Sequence, residues 1–236
     1  MPKKIALITG TGSGIGKALA ELLLDKNYKV VGYSRTNKII HTNFTFIKID
    51  LSDLVTTEKL VFPEANKSEV LLVNNAATIG TIAPFNKKTA KDIITEYQLN
   101  LIAPTLLSQK FISTYKKNSK LLINLGSGAA NNPISSWSTY CATKAGLDML
   151  TQVIAEENHK NLTVFSVHPG IVDTTMQKKI RETKPDLFPL LSKFTNYYTN
   201  NELENTGTVA KKLYYIIQNF AEFTENILSI RDVNIK

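Results

Sequence analysis

A chain of 236 residues, 43% hydrophobic and 20% charged, has the composition of a globular fold and can bury a core without covalent staples. Its single cysteine, Cys141, excludes an internal disulfide and a cysteine-built metal cluster, and no metal site is expected. The net charge of +8 does not point to nucleic acid: only Arg35, Arg181 and Arg231 are arginines, and the lysines stand singly or in pairs such as Lys87-Lys88, a pattern of solvated surface residues without a basic helix.

The chain opens Met1-Pro2-Lys3-Lys4 and passes at once into a short apolar run, too short for a signal peptide. No apolar segment reaches the roughly 18 residues of a membrane span. The expectation is a cytoplasmic protein with neither a membrane nor a nucleic-acid partner. In chain order, Ile5–Thr9 reads as a strand and Ile15–Leu24 as a helix with Ile15, Leu19, Leu22 and Leu23 on one face. Lys29–Ser34, Phe44–Lys48 and Val70–Asn74 are the next strands, and the short spacing between Asp50 and Val70 leaves room only for a trimmed helix. Ala90–Ser113 is a long helical region in which Pro104 bends the helix or starts a new turn. Lys120–Leu125 is a strand, Tyr140–Asn158 a helix, Leu162–Val167 a strand, Thr208–Gln218 a helix and Ile227–Ile230 a last strand.

These strands are near-continuous apolar runs, as in strands covered on both faces. Their alternation with helices predicts an α/β fold: one doubly wound, Rossmann-like parallel sheet with helices on both faces, a single domain over residues 1–236. Ile171–Glu204 is polar, carries Pro185 and Pro189 and shows no strand. It is expected to be a lid or substrate-binding loop.

The first strand runs into Gly10-Thr11-Gly12-Ser13-Gly14-Ile15-Gly16. Glycines at a strand-to-helix turn let the backbone approach a pyrophosphate, and the helix N-terminus offers free N–H groups. The G-x-G-x-x-G spacing fails because Ile15 occupies the third glycine position; G-x-x-x-G-x-G fits at Gly10, Gly14 and Gly16. The second strand ends in Ser34-Arg35 with no acid at 33–36, which favours a 2′-phosphate, hence NADP (NADPH), over the free ribose of NAD. Asp50-Leu51 either contacts the adenine or serves as a turn or cap. Asn74-Asn75-Ala76-Ala77 either lines the coenzyme or ends its strand.

Tyr140 and Lys144 are four apart on a helix, so they share a face. An ammonium nearby favours the phenolate, which suits a tyrosine for proton transfer to a carbonyl oxygen; alone, the pair is also an ordinary helix surface motif. Taken together, Thr9-Gly10…Gly14-Ile15-Gly16, Asn74-Asn75-Ala76, Asn100, Ser127, Tyr140…Lys144 and Pro169-Gly170 resemble the short-chain dehydrogenase/reductase family in order and spacing, over essentially the whole chain. The resemblance implies that Tyr140 is the acid/base, that Lys144 orients the ribose and tunes Tyr140, that Ser127 bonds the substrate oxygen and that Asn100 holds a water-linked relay to Lys144. It also implies that Gly10 to Gly16, Ser34, Arg35, Asp50, Leu51, Asn75, Ala76, Ala77, Tyr140, Lys144, Pro169, Gly170, Val172, Thr174 and Met176 bind the coenzyme. Ser127, Trp137, Gly170 and Met176 then face the substrate.

Gly126-Ser127-Gly128-Ala129, Ser136 to Cys141 and Pro169 to Gln177 with Ile180-Arg181-Glu182 look like the sepiapterin reductases and still more like the related microbial benzil reductases, which reduce one carbonyl of a dicarbonyl. Ala77 departs from the glycine usual there, and Ser229 stands where sepiapterin reductases tend to carry an aspartate, which weakens the pterin reading. Another reductase of the family, acting on 3-oxoacyl or pterin substrates, and a non-catalytic dinucleotide sensor are the alternatives. The resemblance further implies a homo-oligomer, dimer or tetramer, built through Ala90–Ser113 and Tyr140–Asn158. His168 reads as a strand-end packing residue, and Trp137 and Tyr197-Tyr198 either line the substrate pocket or pack the lid.

Overall fold

The apolar runs fold as seven parallel strands in one sheet. They are β1 (Lys4–Thr9), β2 (Lys29–Ser34), β3 (Phe44–Lys48), β4 (Glu69–Asn74), β5 (Lys120–Leu125), β6 (Leu162–His168) and β7 (Ile227–Ser229). In this computed structural model residues 4–66 and 68–235 are described; the reading of Met1–Lys3 lies outside them. The strand order is β3-β2-β1-β4-β5-β6-β7. The chain therefore winds outward one way from β1 and the other way from β4, and a crevice opens at the carboxyl ends between these two strands, where α/β sheets bind ligands.

Side chains alternate across the sheet, and both faces are covered. Ala6, Ile8, Val30 and Val73 pack against Leu19 and Leu23 of α1 (Gly14–Asp25) and Val209, Leu213 and Ile216 of α8 (Thr206–Gln218). Leu7, Val31, Leu72 and Leu122 point the other way, onto Leu107 and Phe111 of α4 (Ala103–Thr114) and Ile154 of α5 (Ser138–Glu156). Double coverage explains why the strands carry apolar residues at successive positions rather than alternate ones. Each of the larger ones, the Val, Leu, Ile and Phe side chains, contributes about 1.5–3 kcal/mol of burial. Among the described residues no helix is long and apolar enough to cross a membrane.

Four expectations are refined. The trimmed helix is α2 (Leu54–Lys59), capped by Asp53, whose carboxylate accepts from the Val55 and Thr56 amides. The long region at 90–113 is not one α-helix: α3 (Ala90–Tyr97) passes through a π-helical turn at Gln98–Ile102 into α4, with Pro104 at the start of α4 where its missing N–H costs nothing. The last strand stops at Ser229, and Ile230 opens a 3₁₀ turn. The 171–204 segment carries α6 (Thr175–Arg181) and α7 (Leu191–Thr199). Its apolar residues Ile180, Phe188 and Phe194 are buried with Trp137; they are too widely spaced for a strand and divided between two short helices and the turn joining them, so no period shows. The excursion begins and ends at one place, because Val172 and Glu204 form a parallel bridge and Glu204 N–H donates to the Ile171 carbonyl at 2.9 Å.

Lys88 corrects the surface reading of Lys87-Lys88. Its side chain is fully buried against Glu96, Nζ lying 2.9 Å from both carboxylate oxygens and 3.0 Å from Thr139 Oγ1. Glu96 Oε1 also accepts from the Thr81 amide at 2.9 Å. Gly80, at φ +64°, lies against this carboxylate so closely that a Cβ would fall 2.0 Å from it. The pair thus fastens the loop after β4 to α3 and to Thr139, the neighbour of Tyr140.

Candidate active site

β1 delivers its glycine turn to the crevice. Gly10 adopts φ +75° and Gly14 φ +59°, and a Cβ on Gly10 would lie 3.0 Å from the Ala76 Cα, so the two strand ends can meet only with glycine there. Thr9 stitches that junction: its Oγ1 accepts from the Asn75 and Ala76 amides, each at 2.9 Å, while Asn75 Nδ2 donates to the Thr9 carbonyl at 2.8 Å. Ser13 is extended at the N-cap of α1 and makes no side-chain cap bond. The first-turn N–H groups therefore remain available to an anion, and the first turn carries no acid to compete.

A cleft of about 750 Å³ runs from this turn along the carboxyl edge of the sheet. Gly10, Gly12, Ser13, Gly14, Ile15, Ser34, Arg35, Asp50, Leu51, Asn75, Ala76 and Ala77 line one end; Ser127, Trp137, Tyr140, Lys144, Pro169, Gly170, Val172, Thr174 and Met176 line the remainder. Three of the expected site residues do not reach its wall. Thr11 is fully buried beneath the turn, its Oγ1 3.2 Å from Ser34 Oγ. Gly16 is where α1 meets β1, a Cβ there falling 2.5 Å from the Gly10 carbonyl. Asn100 is 1% exposed behind the cleft.

Asn100 owes its inward direction to the π turn, which shifts the helix face by a residue. Its Oδ1 accepts from the Thr78 amide and its Nδ2 donates to the Thr78 carbonyl, both at 2.8 Å, with a longer bond to Thr143 Oγ1 at 3.4 Å. It makes no direct bond to Lys144. At the end of the cleft beside Arg35, Asp50 accepts from the Ser52 amide and hydroxyl at 3.0 and 2.7 Å. The Ser52 hydroxyl, then the Ser52 amide and after them the charge of Arg35, hold the Asp50 carboxyl below its ordinary range against its burial. Asp50 is thus both a turn residue and a wall of the cleft, while the helix cap is Asp53.

Tyr140 and Lys144 lie on the buried face of α5, 7% and 3% exposed. Burial pushes the Tyr140 phenol up to about 12; hydrogen bonding with Ser127 pulls the other way. Burial pulls the Lys144 amine down to about 8, opposed by the charge of Asp148. The lysine Nζ sits 5.8 Å from the tyrosine ring centre and donates to the Leu125 carbonyl at 2.5 Å. Desolvation, not the ammonium, therefore dominates the phenol in the free protein, in contrast to what the i,i+4 spacing alone suggests.

A stability prediction follows. Between about pH 8 and the ordinary lysine value of 10.5, the unfolded chain binds a proton at Lys144 that the folded chain does not. This group's contribution to stability therefore rises with pH across that window, and its full cost is present below it. Lys144→Met removes a cost on the order of 3 kcal/mol but strands the Leu125 carbonyl, at roughly 1–3 kcal/mol. Denaturant titration of the free variant is expected to show it at least as stable as wild type at pH 7, with any advantage shrinking by pH 10. A marked loss of stability at pH 7 would contradict the burial cost.

The end of the cleft around Trp137 is aromatic. Trp137 stacks on Phe188 with centroids 5.6 Å apart, meets Phe194 at 5.1 Å and stands edge-on to Tyr140 at 5.6 Å. It therefore both lines the cleft and packs the excursion. Tyr197 lines the cleft, whereas Tyr198 lies under the Arg181 guanidinium at 4.0 Å. Sequence reasoning missed Ile79, Ile134, Ile180, Phe194 and Arg231 as wall residues. Of these, Ile180 and Phe194 fall within the 171–204 segment expected to be a substrate-binding loop, and Ile180 also lies in the stretch that resembles the benzil reductases.

The glycine turn, the uncapped helix start and a cleft long enough to reach from Arg35 to Tyr140 fit a nicotinamide dinucleotide. A family model for short chain dehydrogenases matches residues 4–185. A benzil reductase ((S)-benzoin forming) of Bacillus cereus is 35% identical over 234 residues, covering 91% of this chain and 94% of that one. A sepiapterin reductase of Rattus norvegicus is 34% identical over 154 residues, 63% of this chain and 58% of that one. A solved short chain dehydrogenase/reductase from Saccharomyces cerevisiae superposes with a TM-score of 0.85 at 26% identity, covering 98% of this chain and 96% of that one. With a doubly wound sheet, a glycine turn at its switch point and these relatives, the chain belongs to the short chain dehydrogenase family of oxidoreductases.

Proposed function

We propose that this protein is an NADPH-dependent carbonyl reductase that converts one carbonyl of a dicarbonyl compound to an alcohol. The observation that carries the reading is the convergence of Ser127, Tyr140 and Lys144 on one cleft whose other end holds Arg35. Bound NADPH would supply the hydride to the carbonyl carbon. Tyr140, protonated at neutral pH because burial pushes its phenol up to about 12, donates its proton to the carbonyl oxygen. Ser127 holds that oxygen with a hydrogen bond. Lys144 grips the ribose hydroxyls and supports the phenolate that forms, and Asn100, anchored on Thr78, completes a water-linked path to it. Gly10 to Gly14 and the α1 N-terminus take the pyrophosphate, Arg35 the 2′-phosphate, and Val172 and Thr174 the nicotinamide end.

The substrate preference rests on the aromatic wall around Trp137 and on the full-length likeness to a benzil reductase. Ser229, which lines the cleft, offers no carboxylate to a pterin. The 171–204 excursion closes over the substrate as a lid, hinged where Val172 meets Glu204. The protein acts in the cytoplasm as a homo-oligomer, dimer or tetramer. The exposed apolar side chains of Ile94 and Ile102 on the α3–α4 segment and Met149 and Val153 on α5 support an interface there. The test is coenzyme oxidation with benzil, sepiapterin and a 3-oxoacyl thioester, each with NADPH and NADH. Turnover of benzil with NADPH at a kcat/KM above that of the other two substrates is expected. Preference for another substrate would move the reading to that reductase class, and no turnover of any carbonyl would favour a silent dinucleotide sensor.

A further inference from the structure

Asp148 lies one helical turn beyond Lys144 on α5, so Tyr140, Lys144 and Asp148 form one buried row. It is 7% exposed and is not part of the cleft wall. One carboxylate oxygen accepts from Ser166 Oγ at 2.5 Å, and the other accepts from His168 Nε2 at 2.8 Å. Ser166 and His168 both stand on β6, and His168 directly precedes the Pro169-Gly170 turn that lines the cleft. Gly126, the neighbour of Ser127, presses on all three: a Cβ there would fall 2.4 Å from Ser166 Oγ, 2.6 Å from His168 Cδ2 and 2.8 Å from Asp148 Oδ1. A buried carboxylate is expensive, and this one sits where the catalytic helix, the loop from β5 into Ser127 and the coenzyme turn meet.

We propose that Asp148 is a positioning residue: held by Ser166 and His168, it ties the helix bearing Tyr140 and Lys144 to the strand end leading into Pro169-Gly170, and sets a negative charge one turn from the Lys144 ammonium. The inference rests on the reductase reading above. The charge acts on Lys144 against its burial, keeping the amine protonated to higher pH than burial alone allows. The titratable groups facing Asp148 are Lys144 from its own helix and His168 from β6. β5 leads into Gly126, and β7, which also packs on α5, is Ile227-Leu228-Ser229 and carries no charge.

Asp148→Asn, His168→Ala and His168→Gln test the two halves separately. NADPH affinity is read without substrate through the fluorescence of Trp137, the sole tryptophan, and turnover is followed across pH. In Asp148→Asn the alkaline limb of both binding and kcat/KM is expected about half a pH unit or more below wild type, with kcat falling more than KM rises. In His168→Ala the NADPH dissociation constant is expected to rise about tenfold; His168→Gln, whose amide still donates to Asp148, should recover most of it. An unmoved alkaline limb in Asp148→Asn overturns the charge role. Equal NADPH affinity in wild type and both His168 variants overturns the tie to the turn, and decides the matter if Asp148→Asn does not fold. Failure of wild type to reduce any carbonyl would refute the reductase reading, while the binding measurements still judge this one.

Discussion

Tyr140→Phe is expected to lower carbonyl reduction by about 10²–10⁴-fold, the span of a lost general acid, while NADPH binding stays within a few fold of wild type. The substitution removes one hydroxyl and keeps the ring, so the edge-on contact with Trp137 at 5.6 Å and the α5 packing survive. What disappears is the proton. Burial keeps the phenol protonated up to about pH 12, so at neutral pH it is loaded as a donor. It becomes an effective one only if its conjugate base is supported by a nearby cation. That cation is Lys144, whose amine titrates near 8 in the free protein. Wild-type reduction should therefore weaken as pH rises through about 8, by loss of the ammonium rather than of the tyrosine proton. On the proposed function, coenzyme affinity is expected to reside mainly in the glycine turn and Arg35, at the other end of the cleft. Single-turnover rates with saturating NADPH, beside a binding titration, separate the two effects; turnover within a few fold of wild type would sink the assignment of Tyr140.

The contrast between what the chain discloses and what it hides follows from the range of the interactions. Strands such as Ile5–Thr9 and Lys120–Leu125 are legible because burial on both faces demands an apolar residue at nearly every position. The glycine turn is legible because its backbone demands are local: Gly10 and Gly14 need positive φ wherever the fold places them. Helical spacing puts Tyr140 and Lys144 on one face, but they are legible as a pair only through the resemblance carried by the surrounding motifs. By contrast, nothing near Lys88 announces that it is buried, since its partner Glu96 and the Thr81 amide are brought to it by the loop after β4. Asn100 reads as a mid-helix polar residue until a π turn rotates it onto Thr78. His168 reads as strand-end packing because Asp148 lies on another element. The helices of 171–204 are short and pack through scattered residues around Trp137, so no period betrays them. Local conformational demands and periodic burial are written along the chain, whereas pairings between distant segments are not.

The second large effect is expected at Arg35. Wild type is expected to prefer NADPH over NADH by about 10- to 100-fold in kcat/KM, since a charge-assisted bond contributes roughly 1.5–3 kcal/mol and about 1.4 kcal/mol is tenfold. The guanidinium is exposed at the end of β2, forms no salt bridge within 4 Å among the described residues, and borders the cleft beside Asp50. It is therefore free to meet a phosphate, and because it is exposed its contribution should shrink as salt rises. Arg35→Ala should remove most of the NADPH preference while changing NADH kinetics little. Adding Ser34→Asp should reverse it. Ser34 is 9% exposed with its Oγ 3.2 Å from Thr11 Oγ1, so a carboxylate at 34 has a hydroxyl donor at its back. From there it can accept from the ribose hydroxyl of NADH while repelling the 2′-phosphate of NADPH. The reversal costs some stability, because the bond from Ser34 Oγ to the Thr36 carbonyl at 2.7 Å is lost. The deciding measurement is kcat/KM for both coenzymes in wild type, Arg35→Ala and the double variant at one fixed salt concentration. If wild type uses NADH as well as NADPH, the NADPH reading fails; if the double variant still prefers NADPH, Arg35 is an ordinary surface residue and recognition of the 2′-phosphate lies elsewhere in the cleft.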